Sequence, residues 1–259
     1  MEHTKYFPTV EAIEKASGVL EEILTPTPFQ KNNNLSDIYD AEVYLKREDL
    51  QMVRSYKIRG AYNKIRSIDP ESMKNGIVCA SAGNHAQGVA FSCSKLKIMG
   101  SIFMPVTTPK QKIEQVRMFG REYIEIVLTG DTFDAANSAA IEFAKENNKT
   151  FIPPFDDPKV MEGQGTIGLE ILKQTDAPLD YIFVPIGGGG LASGLGSYIK
   201  AMSPETKIIG VEPGGAPCMK AAIENGGPVE LEEIDKFVDG AAVKKAGAKT
   251  YEVCREVLD

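Results

Sequence analysis

The chain has 259 residues, and its 29 Lys and Arg against 36 Asp and Glu give a formal net charge of −7, which argues against a nucleic-acid partner because phosphate binding needs clustered cations. No apolar run approaches the roughly 20 residues of a membrane helix, and residues 1–10 are too polar for a secretory signal. With two histidines and four widely separated cysteines (Cys79, Cys93, Cys218 and Cys254), neither a zinc ribbon nor a disulfide framework is supported, and the expectation is a cytoplasmic globular protein large enough for one big domain or two modest ones.

In chain order, a first strand is predicted over 41–46, ahead of the charged turn Lys46-Arg47-Glu48-Asp49. The segment Ser55-Tyr56-Lys57-Ile58-Arg59-Gly60 then leads into a helical stretch over 61–68. An ammonium at a helix start opposes the dipole, and that position together with partial burial would lower the pKa of Lys57. A neutral amine is what Schiff-base chemistry requires, although for an isolated lysine the reading as a solvated surface group is the favoured one.

A strand over 77–80 is followed by the small polar turn Ser81-Ala82-Gly83-Asn84-His85 and a helix over 84–96. Backbone amides and a hydroxyl at that helix start suit a carboxylate. Taken singly, Asn84 reads as an ordinary N-cap and His85 as a structural histidine with no paired nucleophile. A strand over 100–104, a helix over 110–119, a strand over 123–128 and a helix over 132–145 come next. Boundaries are expected at 50–56 and at 151–158, the latter carrying three prolines and two aspartates.

Beyond 158, a strand over 181–185 runs to Gly187-Gly188-Gly189-Gly190-Leu191, which opens a helix over 191–202. Four glycines leave successive N–H groups unobstructed, and the positive end of the helix dipole suits a phosphate or another anion. The alternative is a tight turn that needs small residues. Neither a Walker loop nor a dinucleotide fingerprint fits the spacing. A strand over 207–211 and a helix over 251–258 complete the series. Near-continuous apolar strands alternating with helices predict an α/β fold with mostly parallel sheets and right-handed crossovers.

A turn suited to phosphate, another suited to carboxylate and a candidate amine together fit an amino acid meeting pyridoxal phosphate. Taken in order, the segments 46–50, 55–61, 81–85 and 187–191 resemble the fold-type II pyridoxal-phosphate enzymes, relatives of tryptophan synthase β. Segments 104–109, 128–134 and 234–241 narrow the resemblance to the threonine dehydratases (threonine ammonia-lyases) of the biosynthetic, isoleucine-pathway type, over essentially the whole chain.

The resemblance implies two domains: residues 1–54 with 154–259 as a large cofactor-binding domain, and 55–153 as a small domain carrying the lysine and the substrate-carboxylate turn. It implies that Lys57 carries the pyridoxal 5'-phosphate and removes the substrate's Cα proton, and that Asn84 bonds the cofactor's ring hydroxyl. The backbone amides of Gly187, Gly188, Gly189, Gly190 and Leu191 would hold the phosphate. Ser81, Ala82, Gly83, Asn84 and His85 would receive the substrate carboxylate, with Tyr56 packed beside the cofactor and Gly240 near its ring. The implied reaction is deamination of L-threonine to 2-oxobutanoate and ammonia, in a homo-oligomer, dimer or tetramer. Two alternatives stay open: a dehydratase for serine or another β-hydroxy amino acid, and a folded fragment without activity. Serine lacks only a methyl group, which a pocket discriminates by roughly 1–3 kcal/mol.

Three departures from the family pattern bear on this. Ala82 stands where related serine racemases carry an acid/base serine, which implies a lyase. Val211-Glu212-Pro213 is present, but residues 214–218 add no second carboxylate, so a divalent metal site is doubtful and a weaker monovalent one stays open. The family's later Ser-Gly-Gly-type segment, which faces the pyridine nitrogen, and its amino-acid-sensing domain do not follow Gly240. The expectation is therefore a catalytic domain incomplete at its C-terminus, with weak cofactor binding and little turnover.

Overall fold

The structure, a computed structural model, describes residues 6–259. Helix α1 (Val10–Leu20) starts at Thr9, whose hydroxyl accepts the Ala12 amide, and buries Ile13, Ala16 and Leu20 at helical spacing. Strand β1 (Phe29–Lys31), helix α2 (Asn33–Tyr39) and strand β2 (Tyr44–Lys46) follow, and β1 pairs antiparallel with β2, Phe29 opposite Lys46. The strand expected over 41–46 is thus shortened to its last three residues and joins no parallel sheet. Asp40 turns the chain in the left-handed region, and the Val43 amide is taken by the Ser36 hydroxyl instead of by a strand neighbour.

Helices α3 (Lys57–Arg66) and α4 (Pro70–Met73) lead into a parallel sheet. It is built from β3 (Ile77–Ala80), α5 (Asn84–Leu96), β4 (Gly100–Met104), α6 (Lys110–Gly120), β5 (Ile124–Leu128), α7 (Phe133–Glu146) and β6 (Thr150–Phe151), with strand order β5-β4-β3-β6. Both β3 and β4 are buried along their whole length, as their continuous apolar composition requires. Alternate residues serve opposite faces: Ile77, Cys79, Ile102 and Met104 pack with Val89 and Ala90 of α5, whereas Val78, Ala80 and Phe103 pack with Ala140 and Ala144 of α7. This sheet lies wholly within 77–151, while both two-stranded sheets are built from residues outside that interval.

The remaining elements are α8 (Pro158–Gln174), β7 (Tyr181–Pro185), α9 (Gly190–Met202), β8 (Lys207–Val211), α10 (Cys218–Glu224) and α11 (Ala248–Val257), with β7 parallel to β8. Helix α8 is central and contacts α9, α3 and α1. Its approach to two neighbours depends on glycine: a Cβ on Gly194 of α9 would lie 2.0 Å from the Met161 carbonyl oxygen, and one on Gly163 would lie 2.6 Å from that of Arg59.

A buried ionic cluster pins α3 to α8 and to the 46–50 turn. The Arg59 guanidinium, 1% exposed, contacts Glu48 at 2.7 Å and Glu170 at 2.6 Å, and Lys46 meets Glu170 from the other side at 2.5 Å. Each buried charge has an opposite partner, the condition under which such groups are tolerated in an interior. The molecule is an α/β protein with mainly parallel sheets. Among the described residues no helix is long and apolar enough to cross a membrane.

Candidate active site

Helix α3 begins at Lys57, four residues ahead of the expected stretch, and Tyr56 occupies the cap without a side-chain capping bond. The Lys57 Nζ donates to the Pro154 carbonyl oxygen at 3.0 Å and lies 5.5 Å from the centre of the Tyr56 ring. The side chain as a whole is half-buried, but its amine end is enclosed by protein, and that desolvation pulls its pKa down to about 8. Burial likewise pushes the Tyr56 phenol up to about 12.

His85 is 3% exposed, and its Nε2 lies 3.0 Å from the Ile152 carbonyl oxygen. A carbonyl only accepts, so Nε2 carries the proton. Burial, followed by the charge of nearby Lys57, lowers the His85 pKa to about 3 and keeps the ring neutral. The structural reading of His85 and its place in the candidate carboxylate turn are compatible, because the ring faces inward while the backbone opens the helix.

In that turn the Ser81 hydroxyl accepts the Gly83 amide at 3.1 Å. Gly83, not Asn84, is the cap of α5, and no side chain caps this helix. Reading Asn84 alone as an ordinary N-cap is corrected here: it is the first helical residue, and its exposed side chain projects from the helix start. Gly240 lies beside it, since a Cβ at Gly240 would sit 3.9 Å from Asn84 Nδ2 with nothing nearer.

The four-glycine turn follows Ile186 and passes through φ +92° at Gly189, a conformation unfavourable to any residue with a Cβ. Three successive carbonyls are engaged: Gly187 O accepts from Cys218 Sγ at 3.3 Å, Gly188 O from Thr250 Oγ1 at 2.6 Å, and Gly189 O from the Ser193 amide at 2.9 Å and Cys254 Sγ at 3.6 Å. The peptide bonds are trans, so the N–H following each carbonyl points the opposite way. The N–H groups of Gly188 and Gly189 therefore face away from α10 and α11, that of Gly190 points out from the start of α9, and Leu191 adds a further first-turn N–H without an intrahelical acceptor. Phe155 packs against the turn so closely that a Cβ on Gly188 would lie 2.3 Å from its ring.

The segment 151–158, read from composition as a boundary, is where these parts meet. Ile152 O holds His85, Pro154 O holds Lys57, and Phe155 flanks the glycines. Asp156 accepts the amides of Ala248, Lys249 and Thr250 at 3.2, 2.8 and 3.1 Å, which caps α11. Asp157 caps α8, as the Asp157-Pro158 pair signals. Nothing in the sequence ties Asp156 to residues some ninety positions later. Glu212 is engaged in capping α10, accepting the Met219 and Lys220 amides at 2.8 and 2.9 Å. All four cysteines are buried free thiols, and burial raises the pKa of each.

The family model described as pyridoxal-phosphate dependent enzyme matches residues 20–259. The chain belongs to this family. Pyridoxal phosphate is the family's cofactor, and the residues present suit it. An enclosed amine of lowered pKa, unobstructed N–H groups on one glycine turn at a helix start and a side-chain-free position beside Asn84 would suit its aldehyde, phosphate and ring respectively.

Among curated relatives of this pyridoxal-phosphate family, the chain is 56% identical over 250 residues to L-threonine dehydratase biosynthetic IlvA of Halalkalibacterium halodurans, covering 96% of this chain and 60% of that protein. It is 53% identical over 250 residues to the Bacillus subtilis protein of the same name, covering 96% and 59%. The chain thus spans about 60% of the length of these relatives. Of solved structures, the processed form of threonine deaminase isoform 2 from Solanum lycopersicum superposes with a TM-score of 0.91 at 42% identity, covering 96% of this chain and 68% of that one. Maize serine racemase superposes with a TM-score of 0.92 at 29% identity, covering 98% and 76%.

Proposed function

We propose that the protein dehydrates L-threonine, releasing 2-oxobutanoate and ammonia, as the first step of isoleucine biosynthesis in the cytoplasm. The observation that carries this reading is the enclosed amine of Lys57, held against Pro154 O with its pKa drawn down to about 8. The substrate assignment is supported by relatives named threonine dehydratase at 56% and 53% identity.

Pyridoxal phosphate, when bound, supplies an electron sink for the negative charge left at Cα. The chain's own residues do the rest. Backbone N–H groups of Gly187, Gly188, Gly189, Gly190 and Leu191 hold the phosphate, Asn84 bonds the ring hydroxyl, Tyr56 packs alongside and Gly240 leaves room for the ring. The turn Ser81-Ala82-Gly83-Asn84-His85 binds the substrate carboxylate through its backbone. Lys57 Nζ, neutral in part near pH 8, takes the Cα proton of threonine. The β-hydroxyl departs with a proton as water, the proton taken up by Lys57 balancing the one consumed, and hydrolysis of the resulting enamine by a second water gives 2-oxobutanoate and ammonia. Ala82 offers no ionisable group on the opposite face, which favours a lyase even though a serine racemase shares the fold.

Within the same proposal, residues 55–153 form the small domain, 1–54 and 154–259 the large one, and the protein assembles as a dimer or tetramer. The confinement of the four-stranded sheet to 77–151 supports the division. A 2-oxoacid assay on the protein supplied with pyridoxal phosphate tests the function. Threonine is expected to be used about tenfold or more efficiently than serine, in line with one discriminating methyl group. Protein that holds the cofactor on Lys57 yet forms no 2-oxobutanoate from threonine would contradict it.

A further inference from the structure

Thr250 is fully buried in the first turn of α11, and its hydroxyl, with a single proton to give, sits 2.6 Å from Gly188 O and 3.3 Å from Gly247 O. The shorter contact ties α11 to the second carbonyl of the glycine turn. One turn later on the same helix, Cys254 meets the third carbonyl, as the i, i+4 spacing allows. Helix α11 is itself placed by Asp156, whose carboxylate accepts three of its first amides. A Cβ at Gly247 would lie 2.5 Å from that carboxylate, so the helix start is fitted closely to it. Asp156 in turn follows Pro154 and Phe155, which touch Lys57 and the glycines.

We propose that Asp156 and Thr250 are positioning residues for the phosphate: Asp156 fixes the start of α11, and Thr250 holds the Gly188 carbonyl so that the Gly189 N–H faces the anion. The inference rests on the reading that residues 187–191 hold the cofactor phosphate. Neither side chain touches the cofactor; both act through the orientation of one peptide plane. Without the Thr250 hydroxyl, Gly188 O keeps only the longer bond from the Gly247 amide at 3.4 Å, so that plane is held less firmly and the Gly189 N–H is aimed less well, while the lysine and the ring site keep their contacts.

Equilibrium titrations with pyridoxal phosphate and with pyridoxal, which shares the ring and aldehyde but has no phosphate, separate this role from a structural one. The unaltered protein is expected to favour the phosphorylated form strongly. Thr250→Val should weaken pyridoxal phosphate about tenfold, the scale of one charge-assisted hydrogen bond, and leave pyridoxal within about twofold, with Thr250→Ser restoring the difference. Asp156→Asn should cause a smaller loss of the same phosphate-specific kind, and it carries the test should Thr250→Val not fold. Unchanged pyridoxal phosphate affinity in both variants, or equal weakening of both ligands, would overturn the proposal. If the unaltered protein showed no preference for the phosphorylated ligand, the phosphate reading of the glycine turn would fall, and the relay with it.

Discussion

Lys57 and His85 occupy one desolvated corner, and in each the charged form is disfavoured. Burial lowers the lysine to about 8 and, with the lysine charge added, the histidine to about 3. The consequence for His85 is a stability that depends on pH. Its folded pKa lies below the ordinary 6.5, so between those values the unfolded chain binds a proton that the folded chain refuses. The contribution is fully present above about 6.5 and is lost as pH falls toward 3. Urea midpoints measured from pH 7 down to pH 4 should fall for the parent protein, and the fall should be shallower in His85→Gln. Parallel curves for the two proteins would show that His85 is not the group responsible. At this scale the sequence singled out Lys57 and His85, but their surroundings were not legible. The acceptors for Lys57 and His85 are backbone carbonyls of Pro154 and Ile152, and a carbonyl leaves no mark on composition.

Among the elements, those buried on both faces were the readable ones. β3 and β4 carry unbroken apolar runs because helices cover each side, and the structure places them over 77–80 and 100–104 as the runs predict. β1, three half-exposed or exposed residues paired only with β2, has no such signature. The short helices α2, α4 and α10 are likewise too brief for a period to emerge. The central helix α8 shows a further limit, since its role lies in how closely it is approached. Gly194→Ala would drive a methyl group to 2.0 Å from the Met161 carbonyl, so α8 and α9 must separate. Overpacking of this kind costs about 1–3 kcal/mol or more. Chemical denaturation should show that loss, and a variant as stable as the parent would mean that the crossing yields without strain.

Over the whole molecule, one stretch with the composition of a linker does most of the assembling. Residues 152–157 reach His85, Lys57, the glycine turn, α11 and α8, and so bring together motifs that are about 130 positions apart, from Lys57 to Gly187. The order of motifs along the chain was enough to indicate the family. Their convergence depends on chain reversals that no local pattern encodes. The Arg59 cluster is a similar case: Lys46, Glu48 and Arg59 were all visible as parts of motifs, but Glu170 completes the charge balance from a helix over a hundred residues on.

The central claim is that Lys57 is the amine that carries the cofactor. Incubating the protein with pyridoxal phosphate, reducing with borohydride and mapping the modified peptide by mass spectrometry tests it directly. The adduct is expected on Lys57, with none formed in Lys57→Ala; an adduct on a different lysine, or one that survives that substitution, would contradict the account.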